Sequence, residues 1–480
     1  MRPADIGMQP DFHARPVHSL VLQRLARVCY CSGMKVLFLE IDTESDWAVA
    51  SLGPGFLAAY LRERGHEAGF LRVGLGMGVE EIAAAVRAEA PGLIGISATT
   101  RQWLRARLLL AELRRRSNVP VILGGLHATF SPEEVLRHPG IDFVCLGEGE
   151  AALFELVEAL EAGRDIGDGS VGNIWAKDGK RPAIRPPIEP IDSIPFTARD
   201  LLDERWGVVH VSTQRGCPFP CTYCAARMYD QLYADQGGPA YGRRRSHANV
   251  LAELREIRAR GPLNYVIFLD DTFTIHHPWV REFCRVYGAE FRVPFSLHAR
   301  VETVNQKMLG ELAEAGCRHI VYGVESGSER VRRQIMQRHA TNQRFRDVFR
   351  WTREVGIMAT ANYIIGTPGE TVAEMQETIA LHHELDPVDF GYFVFYPYPG
   401  TALFHLCREK GYLPEDHLER PAVHSRSILK LPGVTPEEIE AVYAQWTAIR
   451  AAKTVSRVPE ATAAEAAEAV AQVEKRARLG

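Results

Sequence analysis

Cys217, Cys221 and Cys224 fall within eight residues, with three residues between the first pair and two between the second. Such spacing holds three thiolates on one loop. A structural zinc ion takes four protein ligands, and no second cysteine pair lies near this one. Soft thiolates also bind iron–sulfur clusters, and three of them leave one iron of a four-iron, four-sulfur cluster open to chemistry. Pro218 and Pro220 fix φ within the loop and help to aim the sulfurs.

The C-x3-C-x2-C string, with Tyr223 before its last cysteine, resembles the signature of the radical S-adenosylmethionine (SAM) superfamily. The resemblance implies a [4Fe–4S] cluster whose open iron takes SAM and cleaves it reductively to a 5′-deoxyadenosyl radical. It further implies that Asp270 or Asp271 meets the methionine amino group and that Glu325 and Ser326 hold ribose or carboxylate. Gly366, Pro368 and Glu370 belong to a motif near adenine, and Arg300 pairs with the cofactor carboxylate, an acidic substrate or a structural partner. No catalytic residue beyond the cluster ligands is readable.

The strands that must carry these residues follow a βα rhythm. Apolar runs at 208–212, 265–269, 294–298, 319–324, 358–365 and 392–395 each end in polar or glycine-rich residues, and parallel barrels place their active sites at that end. Six units rather than eight predict a partial, laterally open (β/α)6 barrel over 201–401. A helical C-terminal region, 402–480, is expected to cap the barrel mouth, with helices at 402–410, 436–452 and 461–478. The aromatic run of Tyr392, Phe393, Phe395, Tyr396 and Tyr398 fits either a substrate pocket or core. Arg243, Arg244 and Arg245 read as a solvated face, and the pairs His276–His277 and His382–His383 as surface residues.

A second α/β unit precedes the barrel. Runs at 36–39, 69–73, 93–97, 121–123 and 143–146, with helical patterns between them, predict a doubly wound, Rossmann-like parallel sheet. Ligands of such sheets lie at the strands' carboxyl ends, which here carry Ser97, Thr99 and Thr100, then Gly124, Gly125 and His127, then Gly147 and Glu148. Residues 35 to about 160 resemble the cobalamin-binding domain fused to many radical SAM enzymes, which implies that these eight residues surround cobalamin. No Asp-x-His-x-x-Gly motif follows the first strand, and the nearest string, at 11–16, precedes it and ends in proline. The resemblance therefore implies cobalamin without a histidine ligand, its lower face toward 99–103. A histidine in a turn, such as His127, is more often a hydrogen-bonding residue.

The boundaries that follow are an extension at 1–34, the cobalamin-type domain at 35–163, a proline-rich linker at 164–200 with a small hairpin on Asp178–Gly179 clasping the domains, the barrel and the helical region. Met34, just before the first strand, is a candidate natural start.

The 480 residues carry 56 basic and 60 acidic side chains, a net charge of −4, with no concentrated basic patch for nucleic acid. No apolar run approaches the ~20 residues that span a bilayer. The nine cysteines are too few for a disulfide scaffold and odd in number, which fits a reducing cytoplasm. The reading is a radical SAM methyltransferase using cobalamin on an unactivated carbon or phosphorus of a small biosynthetic intermediate. A flavodoxin or ferredoxin would supply electrons. Alternatives are a radical oxidoreductase or cyclase without methyl transfer, like the anaerobic tetrapyrrole cyclase, and an N-terminal domain that only docks.

Overall fold

The computed structural model describes residues 33–43, 52–202, 204–234, 242–420 and 425–456. The expectations for the first 32 residues and for a helix at 461–478 lie outside these.

The first unit runs β1 (Lys35–Ile41), α1 (Leu52–Arg62), β2 (Glu67–Val73), α2 (Val79–Glu89), β3 (Leu93–Ser97), α3 (Thr100–Leu113), β4 (Val121–Gly124), α4 (Gly125–Phe130), α5 (Pro132–Arg137), β5 (Phe143–Cys145), α6 (Glu150–Glu161) and β6 (Ile174–Ala176). Its sheet has the order β2-β1-β3-β4-β5-β6. Alternation along β1 explains the doubly wound build. Leu37, Leu39 and Ile41 enter one core with Ile82, Trp103 and Leu110, while Val36 and Phe38 enter another with Leu61, Leu153 and Leu156. Both faces are thus covered, as a run of buried apolar residues in a parallel strand requires.

β1 to β5 are mutually parallel, but β6 adds antiparallel to β5 through Phe143↔Ala176 and Cys145↔Ile174. The segment expected to clasp the domains instead completes the edge of the first sheet. Its turn is tightened by Asp178 at φ +60° and by the Gly179 amide donating to the Ala176 carbonyl.

The second unit comprises β7 (Val208–Val211), β8 (Gln214–Arg215), α7 (Ala226–Ala234), β9 (Arg243–Arg244), α8 (His247–Arg260), β10 (Tyr265–Phe268), α9 (His277–Glu290), β11 (Phe295–Ala299), α10 (Gln306–Ala315), β12 (Cys317–Glu325), α11 (Asn342–Glu354), β13 (Met358–Ile365), α12 (Val372–Leu385), β14 (Asp389–Val394), α13 (Ala402–Glu409) and α14 (Pro436–Ser456). Six parallel strands in the order β14-β13-β12-β11-β10-β7 form an open partial barrel, since β7 and β14 both remain edges. One continuous core lies between these strands and their outer helices.

The helical region divides. Thr435 caps α14, exchanging hydrogen bonds with Glu438, and α14 drives Trp446 against Tyr363, Phe390 and Tyr392 on the barrel's outer face. It is an outer helix rather than a cap over the mouth. Among the described residues of this region, α13 lies at the strand ends, where Leu403 and Cys407 pack with Phe395, Leu429 and Tyr223. His382, expected on the surface, is buried between Tyr363 and Trp446, and that burial lowers its pKa to about 4. Tyr392 belongs to the core, while Tyr396 joins Leu104 of α3 and Ile428 in a cluster bridging the two units.

Candidate active site

β8 and β9 pair antiparallel in a two-stranded ribbon, and Gly216, at φ +95°, turns the chain from it into Cys217. One carboxylate anchors this segment. Asp270, at the end of β10, accepts from the Thr213 amide (2.7 Å), the Thr213 hydroxyl (2.6 Å), the Gln214 amide (3.0 Å) and the Ser212 hydroxyl (3.2 Å). Further along, the Thr222 hydroxyl donates to the Ile335 carbonyl (2.6 Å), and the Thr222 carbonyl accepts from the Leu403 amide.

The loop leaves Cys217 and Cys221 buried, 8% and 5% exposed, with Cys224 half-buried. Burial raises the Cys217 thiol pKa and pushes that of Cys224 up to about 12, so loading a metal here releases protons. Among the described residues, the one group of three metal-ligating side chains with ligand atoms within 4.8 Å of one another is His66, Glu158 and Glu161. The three thiols are spread wider than ligands of one tetrahedral zinc, whose sulfurs lie about 3.8 Å apart at Zn–S distances of about 2.3 Å. Wider spacing suits a cluster.

A charged network backs Cys221. The Arg300 guanidinium donates to the Cys221 sulfur at 3.0 Å and to Glu302 at 2.7 Å, and covers the Phe219 ring 3.8 Å from its centroid. Arg338 donates to the Tyr223 hydroxyl (3.2 Å) and the Gly323 carbonyl (2.6 Å), with Glu325 at 3.6 Å. Burial raises the Glu325 carboxyl above the usual carboxylate range.

Against the sequence expectations, the structure separates Asp270 from Asp271. All the hydrogen bonds of Asp270 hold the loop, whereas Asp271 is exposed into the cavity below. Ser326 is buried, its hydroxyl meeting Thr378 of α12 and accepting from the Ser328 amide. Gly366, Pro368 and Glu370 make a turn in which Glu370 accepts from the Thr367 amide at 2.9 Å and hydroxyl at 3.1 Å; its other oxygen is buried without a partner.

A cavity of about 460 Å³ runs from the cysteine loop into the first sheet. Gly216 and Asp271 stand at one end, Gly124, Gly147 and Glu148 at its middle, and beyond them it becomes an apolar slot between Phe38, Gly95 and Ile122 of the sheet and Phe56 and Leu153 of α1 and α6. A neighbouring cavity of about 330 Å³ is bounded by Ser97, Thr99, Gln102, Leu126 and Tyr229. Ser97, Thr99, Gly124, Gly125, Gly147 and Glu148 therefore line one or both. Thr100 and His127 do not. His127 is buried, with one ring nitrogen 2.8 Å from Glu134 and the other 3.2 Å from the Thr100 hydroxyl, and it stacks on Trp103. Neither nitrogen is left for a ligand.

The slot escaped sequence reasoning, although Gly95 inside a buried strand is the kind of signal that marks close approach of another group. The cavity fits a corrin with an extended tail. Its lining combines glycines and apolar side chains with Ser97, Glu148, Glu150, Gln214, Arg215 and Asp271, contains no histidine among the described residues, and includes the buried Glu148 Oε2, which has no partner and could accept from the amide groups that fringe a corrin.

Comparison with known proteins agrees. Residues 211–382 match the radical SAM superfamily and residues 48–157 the B12-binding domain. An uncharacterized methyltransferase of Pyrococcus horikoshii is 32% identical over 398 residues, covering 78% of this chain and 83% of the relative. The chain belongs to the B12-binding radical SAM enzymes. The anaerobic magnesium-protoporphyrin IX monomethyl ester cyclase of Rubrivivax gelatinosus is 25% identical over 407 residues, 78% of this chain and 70% of that one. Among solved structures, the radical SAM methyltransferase TsrM of Kitasatospora setae, with cobalamin and a [4Fe–4S] cluster bound, shares the fold at a TM-score of 0.66 and 18% identity, covering 85% of this chain and 81% of its own.

In this B12-binding radical SAM enzyme the two modules are joined by buried charge. Arg215, two residues before Cys217, pairs with Glu150 at 2.5 Å and lies 3.3 Å from Glu148; Arg243 also reaches Glu148. On the other side of the cysteines, the Tyr233 hydroxyl of α7 accepts from the Glu148 amide at 2.7 Å. The three arginines expected on a solvated face are instead structural. Arg244 bonds Gln214 and covers Trp279, and Arg245 pairs with Glu253 at 2.6 Å. The partners of Arg243 and Arg244 are distant in sequence, so the run alone gives no sign of them.

Proposed function

We propose that the protein is a cobalamin-dependent radical SAM methyltransferase acting on an unactivated carbon or phosphorus of a small molecule. The observation that carries this reading is the single cavity whose walls come from both modules, Gly216 and Asp271 from the barrel and Gly124, Gly147 and Glu148 from the first sheet. Cys217, Cys221 and Cys224 would hold the cluster, and the Asp271 carboxylate, which lines the cavity, would receive the ammonium of SAM. Ser97, Thr99, the glycines at 124, 125 and 147, and Glu148 surround the corrin. The slot behind Gly95 takes its tail. When bound, the cluster supplies an electron for SAM cleavage, and the cobalamin accepts and donates methyl. Tyr233 of α7 packs on Gly147 and Glu148, in the wall of that cavity.

The Pyrococcus relative and TsrM, both described as methyltransferases, support this reading over the cyclase alternative. Electrons would come from a low-potential carrier such as a flavodoxin or ferredoxin in a reducing cytoplasm. No helix among the described residues is long and apolar enough to cross a membrane.

The test is anaerobic loading with iron, sulfide and cobalamin, followed by SAM labelled in its methyl group. The expected result is S-adenosylhomocysteine with label recovered in the corrin fraction. An enzyme that cleaves SAM to 5′-deoxyadenosine yet leaves every methyl on methionine overturns methyl transfer.

A further inference from the structure

Arg300 is buried at the carboxyl end of β11, 6% exposed, and three contacts fix its plane. One terminal nitrogen donates to the Cys221 sulfur at 3.0 Å, the other to Glu302 at 2.7 Å, and the guanidinium lies on Phe219, itself within the cysteine loop. Both terminal nitrogens are engaged, while the Nε–H is buried without a partner. The side-chain contact at Cys217 is unlike this one. Cys217 has the neutral Thr272 hydroxyl at 3.8 Å.

The geometry points to Arg300 as the residue that sets the reduction potential of the cluster, through its charge-assisted hydrogen bond to the Cys221 sulfur. Hydrogen bonds to cluster sulfurs and the net charge around them are the protein's controls on that potential. One-electron reduction, by an external low-potential reductant such as titanium(III) citrate that is oxidised by one electron, adds one negative charge to the cluster and its thiolates. A cationic donor on a sulfur stabilises the reduced form more than the oxidised form, and so makes the potential less negative. Glu302 holds the guanidinium in place and offsets part of its charge. Arg300 acts on the cluster through the Cys221 sulfur, as a positioning and tuning residue. The inference rests on the three thiols holding the cluster, which iron and sulfide content per chain tests separately.

The experiment uses the full-length enzyme with its cluster reconstituted and reduced. In protein labelled with ¹⁵N-arginine, pulsed paramagnetic resonance is expected to show nitrogen coupled to the reduced cluster, a coupling lost in Arg300→Gln. Redox titration is expected to find that, at a fixed potential, the reduced-to-oxidised ratio of Arg300→Gln falls about tenfold, a shift of about 59 mV for a one-electron couple. Arg300→Lys, which keeps the charge without the fork, is expected between them. Absence of nitrogen coupling in the wild type, or a ratio in Arg300→Gln within twofold of it, overturns the assignment. If Arg300→Gln holds no cluster, the labelled wild type still decides.

Discussion

The two parallel sheets are built alike, from buried strands with helices outside, yet their carboxyl ends are furnished in opposite ways. The first presents Gly124, Gly125 and Gly147 around an apolar slot, making room by omitting side chains. Gly125 shows why: at φ +87°, an added Cβ would lie 2.7 Å from the Ala98 backbone. The barrel end is crowded with charge, with Asp270 on the Thr213 segment, Arg300 on Cys221 and Arg338 between Tyr223 and Glu325. A large, mostly apolar cofactor needs space. A loop of thiols that must hold a cluster needs its backbone pinned, and hydrogen bonds to ions do that in a dry site.

Substitutions on each side should therefore fail differently. The largest effect is expected for Asp270→Asn, which sets an amide nitrogen against a group of donors. Stability should drop by about 3 kcal/mol, read from the denaturant midpoint, and iron per chain should fall with it. Unchanged iron would mean that the barrel end does not depend on this anchor. Next is Gly53→Phe in α1, where an added Cβ meets nothing nearer than the Ser97 hydroxyl at 3.8 Å. The ring fills the cavity mouth, so cobalamin affinity should fall about tenfold, or 1.4 kcal/mol, with iron content unaltered. Parallel loss of both cofactors would erase the contrast. The smallest effect concerns Glu370, whose carboxyl burial lifts from 4.5 to about 7. Between those values the native state keeps a proton that the unfolded chain has released, so this group's contribution to stability falls as pH rises through that window and is regained on acidification. Glu370→Gln should remove that contribution, changing the slope of unfolding free energy against pH by at most about 1.4 kcal/mol per unit.

The legible parts of the chain were those whose physics is local. Three cysteines on one loop, glycines after strands and apolar runs of strand length depend on near neighbours, and the parallel sheets followed from them. The illegible parts have remote partners. Arg243 reads as solvated until Glu148, 95 residues away, is placed beside it. His382 reads as surface until α14 brings Trp446 onto it. Asp270 and Asp271 are adjacent and chemically alike, and only the direction each faces at the end of β10 makes one an anchor and the other a cavity wall. The contact of Ser326 with Thr378, 52 residues away, is unreadable for the same reason.

The ion pairs of Glu148 and Glu150 with Arg215 and Arg243 bear on any exchange of modules. A recombination that joined this first sheet to another barrel would leave buried carboxylates without their arginines, a penalty of about 3–5 kcal/mol for a broken pair. An exchange of either module is therefore expected to keep its stability only when the residues on both sides of the joint travel together.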